Sequence, residues 1–194
     1  MYHQILNNQK HLSGIKARPL FEYKGSGVLC GAFLPEEIAK SVALKIPNAE
    51  PAEDLHTTLF YFGKRDAISD ATVQRISSVI SDYAKDAPPL KGTIGGFGRF
   101  SANDSTGDKD VIYLSVDIAN ISDVRFQLKK ILKANGVPIT ETHPFIPHIT
   151  LAYIDKDQSN PFERFEPLVL ELNEISVTVG TGNQNRQDFL LRGR

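Results

Sequence analysis

The sequence has little of several features that would assign it to a particular class of protein. It contains one cysteine, Cys30, so no disulfide can form within the chain. This cysteine lies in an apolar run, which predicts a buried and unreactive thiol. No stretch approaches the roughly 18 consecutive apolar residues that a membrane-spanning helix needs, and the N-terminus has no apolar signal-peptide core. These absences predict a cytoplasmic protein without a membrane partner.

The chain also lacks an excess of basic residues. Its 22 lysines and arginines are offset by 23 acidic residues, for a formal net charge of −1. Proteins that bind long nucleic acids usually carry a basic excess, because neutralising phosphates supplies most of their non-specific affinity. We therefore expect no long nucleic acid partner, and we expect any phosphate-containing substrate to be small. The length of 194 residues and the 41% hydrophobic content suit one globular domain.

What the sequence does contain is a short motif that occurs twice. LHTTLFYF (residues 55–62) and PHITLAYI (residues 147–154) both have histidine, any residue, threonine and leucine, followed by apolar and aromatic residues. Each run is rich in β-branched and aromatic residues and is bounded by polar or proline-containing segments, which predicts two strands. Side chains two residues apart lie on the same face of a strand, about 7 Å apart. The histidine and threonine of each motif therefore share a face, and the leucine points into a core.

The candidate site consists of the four polar side chains of the two motifs. Either histidine alone is better explained as a hydrogen-bonded structural residue of a strand. The repetition of the whole motif favours a shared function instead. The four residues are His56, Thr58, His148 and Thr150.

The elements around the two motifs recur in the same order. Strand, helix, proline-bearing connector, motif strand and further strand are predicted over residues 28–100 and again over residues 111–192. An internally duplicated α+β chain of this kind predicts a pseudo-two-fold axis that brings the two histidines together across a shared cleft. The predicted helices cover residues 35–46, 69–85 and 122–134, and the predicted closing strands cover residues 168–179 and 189–191.

Two other segments give less specific predictions. Residues 1–27 are polar, lack a sustained period and end in the linker-like tetrapeptide KGSG, so we predict an N-terminal arm or linker ahead of a domain at residues 28–194. The run GGFG at residues 95–98 is rich in glycine for a strand. It predicts either a β-bulge or a close approach of the backbone to another group, and both interpretations remain open.

Two imidazoles and two hydroxyls facing one cleft predict phosphoryl transfer without a metal. Neither motif supplies the carboxylate or thiolate that two-histidine metal sites usually add, so we expect no metal and no cofactor. One neutral histidine can take a proton from the attacking oxygen while the other, protonated, gives a proton to the leaving oxygen. The threonine hydroxyls can donate hydrogen bonds to the non-bridging phosphate oxygens.

The paired motifs resemble those of the 2H phosphoesterase superfamily, whose members include bacterial RNA 2′-5′ ligase-like proteins and 2′,3′-cyclic nucleotide phosphodiesterases. The resemblance covers residues 28 to about 192 and implies a bilobed α+β fold with metal-independent chemistry. Carried over by position, it implies that His56 and His148 form the acid–base pair. It also implies that Thr58 and Thr150 bind the phosphate.

Two further runs look like versions carried by phages and prophages. They are GTIGGFGRF (residues 92–100) and RQDFLL (residues 186–191). Some viral relatives degrade the cyclic nucleotide signals of bacterial immunity, so the resemblance also implies such a signal as a substrate. A viral protein would then work in the cytoplasm of its host.

Residues outside the four motif positions are weaker candidates. Phe60 and Phe62 share the face of the first motif histidine by alternation, and they are predicted either to stack on a base or to pack between the lobes. Tyr61 and Tyr153 alternate to the opposite face, which favours a core or rim position over contact with a ligand. Arg99 is predicted either to reach a phosphate or to be a solvated charge at a strand end.

The leading prediction is a metal-independent phosphodiesterase that acts on a small nucleotide phosphodiester, including a cyclic oligonucleotide signal of antiviral immunity. One alternative is a 2′,3′-cyclic phosphodiesterase or a 2′-5′ RNA ligase-like protein that processes RNA ends. Another is a module that binds a nucleotide without cleaving it. The presence of all four motif residues favours an enzyme, and the lack of basic excess disfavours an RNA-binding role.

Overall fold

A computed structural model describes residues 27–102, 108–139, 141, 144–161, 164–180 and 185–193. The predicted arm, apart from Gly27, lies outside these residues. Within the described ranges the chain folds into one antiparallel eight-stranded sheet and three α-helices. The strands are β1 (Gly27–Phe33), β2 (His56–Lys64), β3 (Leu90–Phe100), β4 (Asp110–Asp117), β5 (His148–Ile154), β6 (Leu168–Leu172), β7 (Glu174–Gly180) and β8 (Arg186–Leu190). The helices are α1 (Glu36–Val42), α2 (Asp70–Asp86) and α3 (Ile121–Ala134).

The sheet consists of two four-stranded lobes that meet at the two motif strands. The strand order is β6-β3-β4-β5-β2-β1-β7-β8, so β5 and β2 are the inner neighbours. Their registered pairing is limited to Thr57 opposite Ile149, the middle residues of the two motifs. A pseudo-two-fold axis therefore passes between these two residues. The predicted bilobed α+β fold is confirmed.

The two sequence halves exchange their last strands. β3 ends the first half in sequence, yet it pairs with β4 and β6 in the second lobe. Conversely, β7 from the second half pairs with β1 in the first lobe and carries β8 beside it. Each lobe is thus completed by strands from the other half, which spacing in the sequence does not indicate.

Residues 168–179 were predicted to form one strand, and the structure divides this segment at Asn173. The part before Asn173 is β6, which pairs with β3 at one end of the strand order. The part after it is β7, which pairs with β1 near the other end. Because one residue separates these two strands, the sheet must curl until they approach each other. The chain therefore closes with three strands instead of the two predicted.

The first helix is shorter than predicted. α1 ends at Val42 instead of residue 46, and Ala43 is already extended with φ −61° and ψ 133°. The residues that follow pair with β5, since Ala49 lies opposite Ala152 in an isolated antiparallel bridge. Backbone hydrogen bonds to β5 thus prevail over the helical spacing of the apolar residues. This connector lies beside the second motif strand.

The remaining helices follow their sequence signals. Ser69 caps α2 by accepting a hydrogen bond from the backbone N–H of Thr72 at 3.2 Å. α3 ends at Ala134 and is followed by Asn135 and by Gly136, whose φ of 70° is readily adopted by glycine. The apolar faces of both helices join the inner face of the sheet in one core, although Ile131 of α3 is exposed. None of the described helices combines the length and apolar character that a membrane crossing requires.

Candidate active site

The four motif side chains line one cavity at the junction of the lobes. Antiparallel register through Thr57 and Ile149 sets the histidine of each motif against the threonine of the other. The side chains of Thr57 and Ile149 are fully buried, so their neighbours along each strand face the opposite side of the sheet. The cavity has a volume of about 380 Å³. Its lining includes His56, Thr58, His148 and Thr150.

Both histidines are oriented by the same kind of hydrogen bond. Nδ1 of His56 lies 2.6 Å from the carbonyl oxygen of Asp54, and Nδ1 of His148 lies 2.6 Å from that of Ile146. A carbonyl oxygen can only accept, so each Nδ1 carries the proton and donates it. Each Nε2 is therefore the nitrogen that gains or loses a proton at the cavity.

The ring contacts of the two histidines differ. The ring of His56 lies against Phe33, with centroids 4.9 Å apart and an interplanar angle of 31°. His148 is instead met edge-on by Phe100 at 5.1 Å and by Tyr113 at 5.6 Å. Phe100 and Tyr113 stack on each other at 4.0 Å, so the second histidine rests against a stacked aromatic pair.

Burial lowers the pKa of His56 below the usual value for histidine. The hydrogen bond and the charge of Asp54 raise the pKa of His56, whereas the charges of His148 and Arg186 lower it further. Arg186 places its guanidinium 4.4 Å from the centroid of the Phe33 ring, on the strand at the edge of the first lobe. The net result favours neutral His56, the form that accepts a proton.

A β-bulge in the first motif strand changes which side chains face the cavity. Thr58 lies opposite Gly31 and Phe60 lies opposite Cys30, so Leu59 is an extra residue in β2. Gly31 is needed in this pairing because a Cβ there would lie 2.7 Å from the carbonyl oxygen of Thr57. Leu59 and Phe60 consequently both point into the core, against the alternation on which the sequence prediction relied.

The second motif strand has a bulge at the equivalent leucine. Thr150 lies opposite Tyr113 and Ala152 opposite Ile112, so Leu151 is the extra residue in β5. Leu151 and Ala152 are both fully buried. The two motifs therefore share the bulge as well as the residues around it.

The bulges reverse the predicted placement of the aromatic residues. Phe60 and Phe62 are 3% and 8% exposed and lie in the core, so the prediction that they share the face of the first motif histidine is wrong. Tyr61 and Tyr153 line the cavity instead, and Tyr61 is 52% exposed at its rim. A signal for this was present in the sequence, because both motifs extend to His-x-Thr-Leu-x-Tyr.

Arg99 does not reach the cavity. Its Nε forms an ion pair with Asp110 at 2.5 Å. Its terminal nitrogens donate to the backbone carbonyls of Asp155, Lys156 and Gln158 at 3.2, 2.9 and 2.7 Å. Both predictions for Arg99, a phosphate contact and a solvated charge, are wrong, because its guanidinium holds the loop that follows β5.

The glycine run in β3 fits both predictions, an irregularity in strand pairing and a close approach of the backbone to another group. The register between β3 and β4 shifts between Ile94 and Phe97, which marks an irregularity in the pairing. In addition, a Cβ on Gly98 would lie 2.4 Å from the ring of Tyr113. The glycine therefore lets Tyr113 lean over β3, where it also contacts His148.

Two acidic residues that sequence reasoning missed also line the cavity. Glu50 is brought there by the connector, whose backbone pairs with β5, and Asp54 precedes the first motif strand. Burial raises the pKa of Glu50, and the charge of Asp54 raises it further. The pKa of Tyr153 is also raised, by burial and then by the charge of Glu50. Within the described ranges, no three histidine, cysteine or carboxylate side chains come close enough together to hold a metal ion.

Residues 34–183, a span that contains both motif strands, match the sequence model of the 2′-5′ RNA ligase superfamily. The chain belongs to this superfamily. The match confirms the 2H phosphoesterase resemblance inferred from the paired motifs. Membership indicates an enzyme of the phosphoesterase or RNA ligase class.

Solved structures show the same fold at low sequence identity. The protein TT0787 of Thermus thermophilus is 19% identical, with a TM-score of 0.61 over 87% of this chain and 99% of its own. LigT of E. coli in its apo form is 17% identical, with a TM-score of 0.57 over 86% of this chain and 94% of its own. LigT has also been solved with 3′-AMP, at 17% identity and a TM-score of 0.57 over 87% and 96% of the two chains. Sequence comparison with curated proteins returned no match.

Proposed function

We propose that the protein is a metal-independent phosphodiesterase that uses His56 and His148 as an acid–base pair on a nucleotide phosphodiester. The observation that carries the proposal is the symmetry of the site. Both histidines have Nδ1 fixed by a backbone carbonyl, and both line one cavity with a threonine from each motif. Two proton-transfer groups held in this way suit a reaction in which one oxygen loses a proton and another gains one.

The surroundings of the histidines support different roles. His56 is the more enclosed of the two and is kept neutral, so it takes the proton from the attacking oxygen at Nε2. His148 gives the proton from its Nε2 to the leaving oxygen as the bond from phosphorus to that oxygen breaks. Thr58 and Thr150 donate hydrogen bonds to the non-bridging oxygens, where negative charge builds up. A proton exchange with solvent then returns both imidazoles to their starting forms.

The placement of the tyrosines supports a diester with a nucleoside on at least one side of the phosphorus. Tyr61 and Tyr153 occupy equivalent positions of the two motif strands and line the same cavity. Each offers an aromatic face on which a base can stack. Complexes of LigT with 3′-AMP, NADP+ and ATP support a nucleotide as the ligand of this fold.

A ribose 2′-hydroxyl is the expected nucleophile when the substrate is a 3′-5′ diester. It is already held beside the phosphorus, which avoids the entropic cost of recruiting water. Attack yields a 2′,3′-cyclic phosphate, and water can then open that ring with the same histidine pair. A cyclic oligonucleotide signal of antiviral immunity is a substrate of this kind, and together with a phage origin it remains a prediction from the sequence.

Processing of RNA ends is the second candidate function. The match to the 2′-5′ RNA ligase superfamily favours it, because joining a 5′-hydroxyl to a 2′,3′-cyclic end reverses the cleavage that forms such an end and uses the same two proton transfers in the opposite direction. The chain's near-neutral charge favours short over long RNA.

The proposal is tested by incubating the protein with cyclic mono-, di- and trinucleotides, linear dinucleotides and RNA ending in a 2′,3′-cyclic phosphate. Chromatography of the products identifies the substrate class. For any 3′-5′ substrate found, an analogue with 2′-deoxyribose at the scissile position should bind but resist cleavage. Binding without turnover across the whole panel would instead identify a nucleotide-binding module.

A further inference from the structure

The backbone carbonyl oxygen of each bulged leucine accepts a hydrogen bond from a group in the other half of the sequence. The carbonyl of Leu151 in β5 accepts from the backbone N–H of Glu50 at 2.8 Å. The carbonyl of Leu59 in β2 accepts from a side chain, the Nε of Arg125 in α3, at 3.0 Å. The carbonyl at the first bulge therefore accepts from an arginine side chain, whereas the carbonyl at the second accepts from the backbone.

Arg125 also contacts both motif segments through aromatic rings. Its guanidinium lies 5.1 Å from the ring centroid of Phe60, the residue after the bulge in β2. It lies 4.5 Å from the ring centroid of Phe145, in the connector that leads into β5. A terminal nitrogen forms an ion pair with Glu141, and the side chain is only 19% exposed. Arg125 therefore lies between the first motif strand and the connector that leads into the second motif strand.

We infer that Arg125 is a positioning residue that holds the bulge in β2 and thereby keeps Tyr61 on the cavity face. A strand without the bulge would alternate regularly, which would direct Phe60 to the cavity and Tyr61 to the core. The hydrogen bond to the Leu59 carbonyl stabilises the bulged backbone, and the cation–π contact keeps the Phe60 ring inward. The inference rests on the proposed function, because it gives Arg125 a role in placing Tyr61 for substrate.

The chain supplies two matched controls. Lys129 also forms an ion pair with Glu141, yet the structure gives it no contact with the Leu59 carbonyl. Lys129→Met therefore removes a positive charge from the same cluster and leaves the bulge intact. Tyr153 occupies the equivalent position beside the second bulge, which Arg125 does not hold.

The test is a double-mutant cycle on kcat/KM, measured with the best diester of the panel. Arg125→Met should lower kcat/KM about 10-fold or more, because small misplacements of substrate-positioning groups carry losses of this size. Lys129→Met should change it less than about 2-fold, as expected away from the site. In a Tyr61→Ala background the Arg125→Met effect should shrink, whereas in a Tyr153→Ala background it should persist in full. Equal effects in the two backgrounds would overturn the inference and assign Arg125 a general structural role.

A second readout does not depend on turnover. Tyr61 should be nitrated by tetranitromethane in the wild type, and peptide mass spectrometry would follow that modification. Arg125→Met should protect Tyr61 as its ring turns inward, and Lys129→Met should not. Unchanged nitration of Tyr61 in a folded Arg125→Met protein would overturn the inference.

A third variant keeps both tests valid. If Arg125→Met fails to fold, Arg125→Lys keeps the charge between the rings but alters the hydrogen bond, and the same two readouts apply to it. If the wild type turns over no diester, the proposed function fails, while nitration still decides whether Arg125 holds the bulge.

Discussion

The two motif strands carry the same residues and the same bulge, but their histidines lie in different surroundings. His56 is enclosed, lies against the tilted ring of Phe33 and is close enough to Arg186 for that charge to lower its pKa. His148 is more exposed and rests edge-on against the pair of Phe100 and Tyr113. The difference arises from the strands beside each motif, not from the motifs. In the proposed mechanism, this difference assigns one imidazole as the base and the other as the acid.

Removing either histidine should have the largest effect on activity. His56→Ala and His148→Ala should each lower kcat by about 10³-fold or more, because each transfers a proton in the same step. The fold should persist, since both side chains face the cavity, and circular dichroism and the melting temperature check this. The residual rate of His56→Ala tests the assignment of the base, because the acidic limb of the pH profile should vanish in that variant. Near-normal turnover in either variant would refute the paired mechanism.

Removing the threonine hydroxyls should have a smaller effect. Thr58→Val and Thr150→Val should each lower kcat about 10- to 100-fold, because one donor to the charged oxygens is lost while the shape is kept. Thr57→Val is the matched control, since its hydroxyl is buried and has no hydrogen-bond partner in the described part of the chain. That change should leave kcat unaltered and raise the stability by about 1 kcal/mol, because it removes an unpaired buried hydroxyl. A loss in Thr57→Val as large as in Thr58→Val would mean that strand packing, not phosphate binding, sets the rate.

The difference in surroundings between the two motif histidines can be reduced by replacing Arg186. The pKa of His56 lies below its usual value because of burial and, to a smaller degree, nearby positive charge that includes Arg186. The base must be neutral, so the wild-type rate should fall on acidification only below about pH 6.5. Arg186→Met should raise the pKa of His56 and move that acidic limb to higher pH. Lys91→Met, an exposed change in β3, serves as the control, and an unmoved limb in Arg186→Met would exclude an electrostatic contribution from this arginine.

The smallest expected effect is that of a chelator. The motifs offer imidazoles and hydroxyls without the carboxylate or thiolate that two-histidine metal sites usually add. Turnover should therefore persist in excess EDTA, measured beside an enzyme known to need a divalent cation. Loss of activity that a divalent ion restores would contradict the metal-free proposal.

The residues of the site were predictable because they depend on local chemistry. His-x-Thr on a strand places both side chains on one face whatever the strand's neighbours are, and the repetition shows that two such faces exist. The prediction for Phe60 and Tyr61 failed because a bulge depends on the partner strand and on Arg125, which is far away in the sequence. The alternation of side chains along a strand cannot reveal an extra residue that is stabilised by contacts from distant parts of the chain.

The larger features of the fold also divide into those that local sequence predicts and those that depend on distant contacts. The cap at Ser69 and the end of α3 just before Gly136 could be predicted because they are formed by a few neighbouring residues. The early end of α1 and the use of Arg99 as a loop anchor depend on pairing and contacts with β5 and the loop after it. The exchange of β3 and β7 between the lobes is likewise a property of the whole sheet. Each of these failures involves residues that meet only after the chain has folded.

The segment divided at Asn173 has a mechanical consequence for the cleft. β6 belongs to one lobe and β7 to the other, so this extended segment links the lobes at a place away from the motif strands. The backbone of Asn173 is fastened in turn, since its carbonyl oxygen accepts a hydrogen bond from Leu191 at 2.8 Å. Two lobes that are joined at separate places cannot swing apart as they could about one hinge. The width of the cleft is therefore constrained by a tether, and a substrate must enter without a wide opening of the lobes.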